Sequence, residues 1–377
     1  MFDVIVVGLG AMGSAAAYHL SARKKRVLGI DLHRPPHEFG SSHGRSRIIR
    51  QAYFEHPSYV PLVLRAYELW ERLERETGVH LLTRTGGLMM GSADSQTVAG
   101  SILSAKQHGL PHEVMDASEI RRRFPPLRPR DDVIALFEAQ AGMVHPEQAV
   151  RAHLTRAGQS GAELHFDEPT LRWEVPASGG PVRVQTTRAT HEAEALVLTP
   201  GPWAPKVLRG LELPLSVERR VMFWFEPKGG TEPFLVGRFP IFIWEAEDGQ
   251  QFYGFPAETH ERGVKVALHG VGPPCSPDTI DRAVREEEID LMRSYLADRI
   301  PALDSTCLEA QTCMYTNTPD RHFAIGLHPH HSGVALAVGF SGHGFKFASV
   351  VGEILADLVI NGNTRHPISL FNLDRFA

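Results

Sequence analysis

Residues 2–31 read FDVIVVGLGAMGSAAAYHLSARKKRVLGID, a stretch with the order strand, turn, helix, strand. A β-branched run leads into three glycines spaced as GxGxxG and then into a helix of small residues, 14–22. Gly8 permits the tight turn, Gly10 lets the backbone approach a pyrophosphate, and Gly13 lets the helix pack on the strand. The second strand ends in Asp31, whose carboxylate can accept both hydroxyls of an adenosine ribose. The stretch predicts a Rossmann unit that binds a dinucleotide, either FAD or NAD.

The rest of the chain predicts two domains. A length of 377 residues exceeds what one hydrophobic core usually organises. Residues 196–201 (LVLTPG) have the pattern of a strand that runs into a turn, as expected where the nucleotide-binding unit resumes after an insertion. Strand patterns in residues 221–269, with a turn at Asp248 and Gly249, predict a second domain with antiparallel strands. The predicted fold class is α/β, with a discontinuous Rossmann-type domain for the dinucleotide and an α+β domain built on an antiparallel sheet.

We place the domain boundaries from these patterns. The first domain comprises residues 1–84, 146–216 and 318–377, and the second comprises residues 85–145 and 217–317. Near the C-terminus a buried strand is followed by a glycine-rich loop, 339–344, and then by a predicted helix, 345–359. A second glycine loop therefore meets a helix N-terminus, and we expect Gly342 and Gly344 to contact the cofactor.

Composition and charge exclude several classes of function. The net charge is −5, and no basic stripe is long enough to follow a nucleic-acid backbone. The chain enters its first strand directly, and no stretch approaches the length of a membrane span. We therefore expect no nucleic-acid partner, no membrane association and a cytoplasmic location. The three cysteines, Cys275, Cys307 and Cys313, lack the spacing of a zinc site or a disulfide framework.

Several motifs together resemble the family of monomeric sarcosine oxidase and N-methyl-tryptophan oxidase, nearly from end to end. They are the fingerprint at Gly8, HGRSRIIR at 43–50, YGFPAE at 253–258, VKV at 264–266, CMYT at 313–316 and GFSGHGFK at 339–346. The resemblance implies a monomeric FAD-dependent enzyme that oxidises a secondary amino acid. The products would be an imine, which water hydrolyses to an aldehyde and an amino acid, and hydrogen peroxide from O2.

The resemblance also implies a covalent flavin. Cys313 matches the family cysteine whose sulfur is joined to the methyl group of the flavin's dimethylbenzene ring. That attachment needs a thiolate, so we expect an electropositive site. A buried apolar cysteine without such a link is the alternative.

Lysine is scarce, which makes Lys265 conspicuous among only seven lysines. It lies between apolar neighbours in VKVALH, where a lysine would ordinarily point outward from a half-buried sheet. By the resemblance, Lys265 instead lies over the reactive face of the flavin. Its charge there would stabilise superoxide as oxygen takes the first electron. We expect it to activate oxygen.

Other basic and aromatic residues match family positions around the substrate. Arg50 and Lys346 match the residues that bind the substrate carboxylate, and Arg47 matches an arginine placed against the flavin ring. A planar guanidinium and a compact ammonium can hold a carboxylate in one orientation. The resemblance also gives four further pocket residues, with modulating roles, as His269, Tyr253, Tyr315 and His43.

We expect no metal site. The cluster His328-Pro329-His330-His331 has metal-ligating residue types, but a proline-broken exposed loop explains it better, and the family uses no metal. His343 is expected to be structural.

The sequence leaves some alternatives open. Arg45 and Ser46 stand where the family commonly has an acidic residue and threonine, so an extra cation is expected beside the flavin. YGFPAE favours the N-methyl-tryptophan enzymes and CMYT the sarcosine enzymes. The other candidate functions are an NAD-dependent dehydrogenase, which Asp31 permits equally well, and a flavin-binding protein without activity.

Overall fold

The computed structural model describes residues 1–176, 180–208, 210–260 and 262–376. Its helices are α1 (Ala11–Ala22), α2 (Val60–Thr77), α3 (Gln96–His108), α4 (Ala117–Arg123), α5 (Pro146–Gln159), α6 (Ala204–Val207), α7 (Glu286–Leu296) and α8 (Ala348–Asn361). The strands up to the first half of the chain are β1 (Phe2–Val7), β2 (Val27–Ile30), β3 (Arg47–Ile49), β4 (Leu82–Arg84), β5 (Gly87–Gly91), β6 (Glu113–Asp116), β7 (Ile134–Glu138), β8 (Gly142–Val144), β9 (Glu163–His165), β10 (Thr170–Glu174) and β11 (Val182–Thr186). The later strands are β12 (Thr190–Leu198), β13 (Ser216–Phe225), β14 (Ile241–Glu245), β15 (Gln251–Gly254), β16 (Val264–His269), β17 (Cys307–Asn317), β18 (Ala324–His328) and β19 (His331–Val338).

The first sheet is the Rossmann sheet. Its parallel strands run in the order β9, β2, β1, β12, β19, and β10, β11 and β18 extend it by antiparallel pairing. Helix α1 packs against α8, and small residues allow the two backbones to approach closely. A Cβ atom on Gly352 of α8 would lie 2.5 Å from the carbonyl carbon of Ala15 in α1. The predicted discontinuous Rossmann-type fold is confirmed.

The second sheet has the order β17, β13, β16, β15, β14, β5, β7, β6. All neighbouring pairs are antiparallel except one, because β14 pairs with β5 in parallel. The prediction of an α+β part is confirmed, but the sheet is mixed rather than purely antiparallel. Strand β5 lies far upstream of β14 in the sequence, so no hairpin connects the two strands and forces them to be antiparallel. The boundary predicted after residue 216 falls within β13, which begins at Ser216, and the boundary after residue 145 separates β8 from β3 and β4, with which it pairs.

Two local expectations need correction. Helix α1 begins at Ala11 rather than at Ser14. The segment after the C-terminal glycine loop begins as a 3-10 turn, Phe345–Phe347, before α8. The histidine cluster is a hairpin turn, because β18 ends at His328 and β19 starts at His331, and its connecting residues Pro329 and His330 are exposed, as expected. The ring of His328 is buried there.

A third, small sheet joins the two larger ones at the candidate site. It consists of β3, β8 and β4 in antiparallel pairing, and β3 begins with Arg47. Strands β13, β16 and β17 of the second sheet pair beside one another and carry Met222, Lys265 and Cys313. Among the described helices, none combines the length and apolar character that crossing a membrane requires.

Candidate active site

A cavity of about 880 Å³ runs along the carboxyl ends of the Rossmann strands. Gly8, Gly10 and Asp31 line one part of it and Cys313 another, and Gly342 and Gly344 of the second glycine loop also lie in its wall. A crevice beyond the carboxyl ends of parallel strands is where α/β sheets bind dinucleotides.

The three fingerprint glycines serve different purposes. A Cβ on Gly8, where φ is +87°, would lie 2.4 Å from the Thr199 carbonyl oxygen, and one on Gly13 would lie 1.7 Å from the Gly8 carbonyl oxygen. These two glycines are therefore required by packing. A Cβ on Gly10 would meet only Ser42 Oγ, at 3.4 Å, so Gly10 leaves an open cradle at the start of α1. That cradle fits a pyrophosphate at a helix N-terminus.

Asp31 follows β2 at the rim of the cavity. One carboxylate oxygen, Oδ2, accepts a hydrogen bond from the Leu9 amide at 2.5 Å, and Oδ1 accepts one from the His33 amide at 2.9 Å. The carboxylate is thus held in one orientation beside the glycine turn. This geometry fits recognition of a ribose.

A second cavity, of about 70 Å³, adjoins the first. Five residues line both cavities, and they are Arg47, Cys313, Tyr315, Gly342 and Phe345. The small chamber therefore opens onto the dinucleotide cavity at these five residues. Arg50, Lys346, His269 and Tyr253 also line this chamber.

Arg50 and Lys346 bring two cations to the chamber wall. The Arg50 guanidinium lies 4.1 Å from the ring centres of both Tyr53 and Phe54, and it pairs with Glu55 at 2.5 Å. Lys346 Nζ donates to the His343 carbonyl oxygen at 2.6 Å. Burial, reinforced by the charge of Arg50, lowers the pKa of Lys346 to about 7.

Arg47 and Cys313 lie at the junction of the cavities. Arg47 Nη2 is 3.8 Å from Cys313 Sγ, and the same guanidinium donates to the carbonyl oxygens of Ser46 and Ser41. A guanidinium at this distance provides positive charge beside the thiol, as a reactive cysteine requires.

Lys265 lies behind the chamber wall rather than in it. Its Nζ donates to the carbonyl oxygens of Gly44 at 2.6 Å and Ser46 at 2.8 Å, and the side chain is 3% exposed. The rings of Phe255 and Trp224 lie 4.7 and 5.5 Å from Nζ. Burial and the charge of Arg47 hold the pKa of Lys265 well below its usual value.

The tyrosine and histidine candidates are neutral at physiological pH. His269 Nδ1 lies 3.4 Å from the Tyr315 hydroxyl, and burial lowers the pKa of His269 to about 4. Burial raises the pKa of both Tyr253 and Tyr315. Such groups can donate or accept hydrogen bonds in the chamber without changing its charge. His43 lies outside both cavities, with Nε2 3.0 Å from the Thr312 carbonyl oxygen.

The second glycine loop packs tightly against the site. Gly342 has φ +81°, and a Cβ there would lie 2.2 Å from the Tyr315 ring. A Cβ on Gly344 would lie 2.4 Å from the Phe340 ring. Both glycines thus let the loop lie close to aromatic rings at the junction of the cavities.

Two acidic residues of the site were not anticipated. Glu55 pairs with Arg50, and Glu147 accepts hydrogen bonds from the amides of Gly44 and Arg45. Neither lies in a motif, and no spacing in the sequence pointed to them. The expected extra cation at Arg45 is balanced, because its guanidinium pairs with Glu309 at 2.5 Å and stacks on Trp224.

Metal-ligating side chains do come together once in the described part of the chain, at His165, Glu168 and His191. Glu168 there accepts a hydrogen bond from Thr186 at 2.6 Å and lies 3.4 Å from the Arg188 guanidinium. Protein groups thus already compensate the carboxylate, and the absence of a metal stays a prediction.

Comparison with known proteins identifies the family. The model of the DAO family, described as FAD dependent oxidoreductase, matches residues 3–358. A monomeric sarcosine oxidase of Streptomyces avermitilis is 55% identical over the whole chain and 98% of its own length. An N-methyl-L-tryptophan oxidase of Salmonella arizonae is 35% identical, over the whole chain and 99% of its length.

A solved structure agrees with these relatives. NikD, an unusual amino acid oxidase essential for nikkomycin biosynthesis, superposes with a TM-score of 0.84 at 25% identity, covering 98% of this chain and 97% of its own. The chain therefore belongs to the DAO family of FAD-dependent oxidoreductases, in the group of the monomeric sarcosine oxidases and N-methyl-L-tryptophan oxidases.

Proposed function

We propose that this flavoenzyme oxidises a small secondary amino acid, with sarcosine as the preferred substrate and O2 as the electron acceptor. The observation that carries the proposal is the small chamber with two cations, Arg50 and Lys346, at the junction with the dinucleotide cavity. The higher identity to a monomeric sarcosine oxidase than to an N-methyl-L-tryptophan oxidase supports the same substrate.

The size of the chamber favours sarcosine. The chamber has a volume of about 70 Å³, against about 880 Å³ for the adjoining dinucleotide cavity, so it suits a small amino acid better than one with an indole side chain. Phe54, Ile243 and Phe255 lie in the chamber wall, so a larger substrate would have to displace packed apolar side chains.

The chain's own residues bind and orient the substrate. Arg50 and Lys346 hold the carboxylate, which turns the amine toward the flavin end of the chamber. Tyr253, Tyr315 and His269 offer neutral hydrogen-bonding groups around it. FAD, when bound, would supply the redox chemistry, in which the amine is oxidised to an imine that water hydrolyses and O2 is reduced to hydrogen peroxide.

Two further roles rest on charge. Lys265 supplies the positive charge that favours electron transfer to O2, and Arg47 favours the anionic reduced flavin. Cys313 forms the covalent bond to the flavin, and the Arg47 guanidinium lies 3.8 Å from its sulfur. The glycines at 8, 10, 13, 342 and 344 and Asp31 bind the dinucleotide, and His43 modulates the site. We propose that the protein acts as a monomer with the two domains bounded as above, and a cytoplasmic location stays a prediction.

The test is the visible spectrum of the purified protein under anaerobic conditions, before and after addition of sarcosine or N-methyl-tryptophan. We expect flavin bands that sarcosine bleaches faster than N-methyl-tryptophan does. The reverse order would contradict the size argument. Flavin that neither amine bleaches would contradict the substrate class and favour the binding protein without activity, while FAD dependence of the family already sets aside the NAD-dependent dehydrogenase.

The role of Lys265 is tested separately in the two half-reactions. Lys265→Met should leave reduction of the flavin by sarcosine fast, while reoxidation by O2 becomes at least about a hundredfold slower. Stopped-flow absorbance measures both rates. Equal losses in the two half-reactions would contradict an oxygen-specific role.

A further inference from the structure

The turn formed by Gly44, Arg45 and Ser46 is held from two opposite sides. On one side its carbonyl oxygens accept hydrogen bonds from Lys265 Nζ, at 2.6 Å for Gly44 and 2.8 Å for Ser46. On the other side its amides donate to a single atom, Glu147 Oε1, at 2.7 Å for Gly44 and 3.0 Å for Arg45. The turn therefore connects an ammonium to a carboxylate through its peptide groups.

The backbone of this turn needs such support. Both Gly44 and Arg45 have positive φ, +99° and +68°, and the second value is unfavourable for a residue with a side chain. Ser46 then donates its amide to the Gly44 carbonyl oxygen at 2.8 Å. The two hydrogen bonds to Glu147 compensate the cost of the conformation that points two carbonyl oxygens at Lys265.

Glu147 comes from an independent element, which makes its position rigid. It occupies the first turn of α5, directly after Pro146, where a carboxylate also interacts favourably with the helix dipole. Burial alone would raise the pKa of Glu147, but hydrogen bonds from the turn and the charge of Arg47 outweigh burial and hold that pKa below its usual value. The residue is therefore ionised at neutral pH.

We propose that Glu147 is a positioning residue for the oxygen-reducing step: its carboxylate fixes the turn whose carbonyl oxygens hold Lys265, and its negative charge balances the Lys265 ammonium. This inference rests on the proposed role of Lys265. Glu147 lines neither cavity. It acts on Lys265 through the turn.

The charges around Lys265 agree with this role. Arg47 of β3 disfavours the ammonium, whereas the carboxylates of Glu147 in α5 and Glu258 favour it, Glu147 the more strongly. His43 also faces this group, but burial lowers its pKa to about 4, so it is neutral. Loss of the Glu147 charge therefore lowers the pKa of Lys265 further, and the ammonium is lost at a lower pH.

The experiment uses the FAD-loaded protein with Glu147→Gln, which keeps an oxygen that can accept both amide hydrogen bonds. In stopped flow, we expect the pH above which reoxidation by O2 slows to move down by about one unit or more, since only one turn of backbone separates the two buried charges. Flavin reduction by sarcosine should change much less than reoxidation. A pH titration of the resting flavin spectrum, without turnover, should show the same displacement.

Glu309→Gln is the matched control. It removes a carboxylate that pairs with the Arg45 side chain but accepts no hydrogen bond from the turn's amides, so it should leave the pH profile of reoxidation in place. An unshifted profile in Glu147→Gln, or an equal shift in Glu309→Gln, overturns the inference.

Two further variants keep the outcomes distinct. If Lys265→Met reoxidises as fast as the wild type, the proposed role of Lys265 fails; if only that variant is slow and Glu147→Gln has the wild-type profile, the inference about Glu147 alone fails. If Glu147→Gln does not yield folded flavoprotein, Glu147→Asp is measured instead, because it keeps the charge but moves it away from the turn by the length of one methylene. A smaller shift in the same direction supports the inference, and an unchanged profile contradicts it.

Discussion

Arg50 and Glu55 form a buried ion pair at the chamber wall, with Nη2 and Oε2 2.5 Å apart. Burial alone would raise the pKa of Glu55, but the charge of Arg50 above all outweighs burial and lowers that pKa to about 2. Glu55 is therefore ionised at any working pH. A substrate carboxylate must compete with Glu55 for Arg50, so the ion pair weakens the binding of that carboxylate.

This competition predicts the effect of Glu55→Gln. Removing the charge frees Arg50 for an incoming carboxylate, so acetate should bind about tenfold more tightly, which corresponds to about 1.4 kcal/mol. A titration of the flavin spectrum with acetate measures the dissociation constant. The variant should also melt at a lower temperature, because a buried arginine loses its partner.

Glu68→Gln is the control for this prediction, since Glu68 pairs with Arg65 in a largely exposed position. It should change neither acetate binding nor the melting temperature appreciably. Weaker acetate binding in Glu55→Gln would show that Glu55 orients Arg50 for the substrate rather than competing with it.

Lys346 predicts a pH dependence of carboxylate binding. Because the pKa of Lys346 is lowered to about 7, the ammonium is present below this pH and is lost as the pH rises through it. The dissociation constant of acetate should therefore increase through about pH 7, by about tenfold. His269 and His343 do not titrate in this range, because burial lowers their pKa to about 4 and about 3.

The variant Lys346→Met identifies the titrating group. It should bind acetate weakly at every pH, with a flat profile around neutrality. A rise through pH 7 that persists in Lys346→Met would assign the titration to another group.

Cys313→Ala tests the covalent flavin. Cys313 Sγ lies beside Arg47 at the junction of both cavities, whereas Cys275 lines neither. After denaturation and gel electrophoresis, flavin fluorescence should stay with the wild-type chain and with Cys275→Ala, but not with Cys313→Ala. Fluorescence retained in Cys313→Ala would place the link elsewhere, and fluorescence lost from the wild type would show a dissociable flavin.

The fingerprint glycines predict two separable defects from one added methyl group. Gly13→Ala places Cβ against the Gly8 carbonyl oxygen, so the flavin-free protein should lose about 3 kcal/mol of unfolding free energy. Gly10→Ala meets no such obstacle and should unfold as the parent does, yet bind FAD at least tenfold more weakly. Measuring both in a Cys313→Ala background keeps FAD binding reversible. Equal stability losses would contradict this division of roles.

The fold was largely predictable because its signals are local. The Rossmann unit at residues 2–31 could be predicted because its strand, glycine turn and helix follow one another directly in the sequence. The antiparallel strands on either side of Asp248 and Gly249 could be predicted because a short hairpin connects them. The parallel pairing of β14 with β5 was not predictable, since these strands are separated by some 150 residues and no periodicity specifies which edges meet. The exposed connection at residues 329–330 was predicted, but not that His328 and His331 on either side of it belong to paired strands, because pairing depends on a partner strand and not on residue type.

For the site, the sequence by itself determined which chemical groups the chain carries: the glycines of the cradle, the thiol of Cys313, and the scarce lysines Lys265 and Lys346. Only the tertiary structure decided which charges meet. The carboxylates of Glu55 and Glu147 come to lie beside Arg50 and behind Lys265 because separate elements pack there, and the strength and pKa of each group depend on burial and on neighbours distant in sequence. Residue identity is local information, whereas the electrostatic state of a buried group is a property of the packed fold.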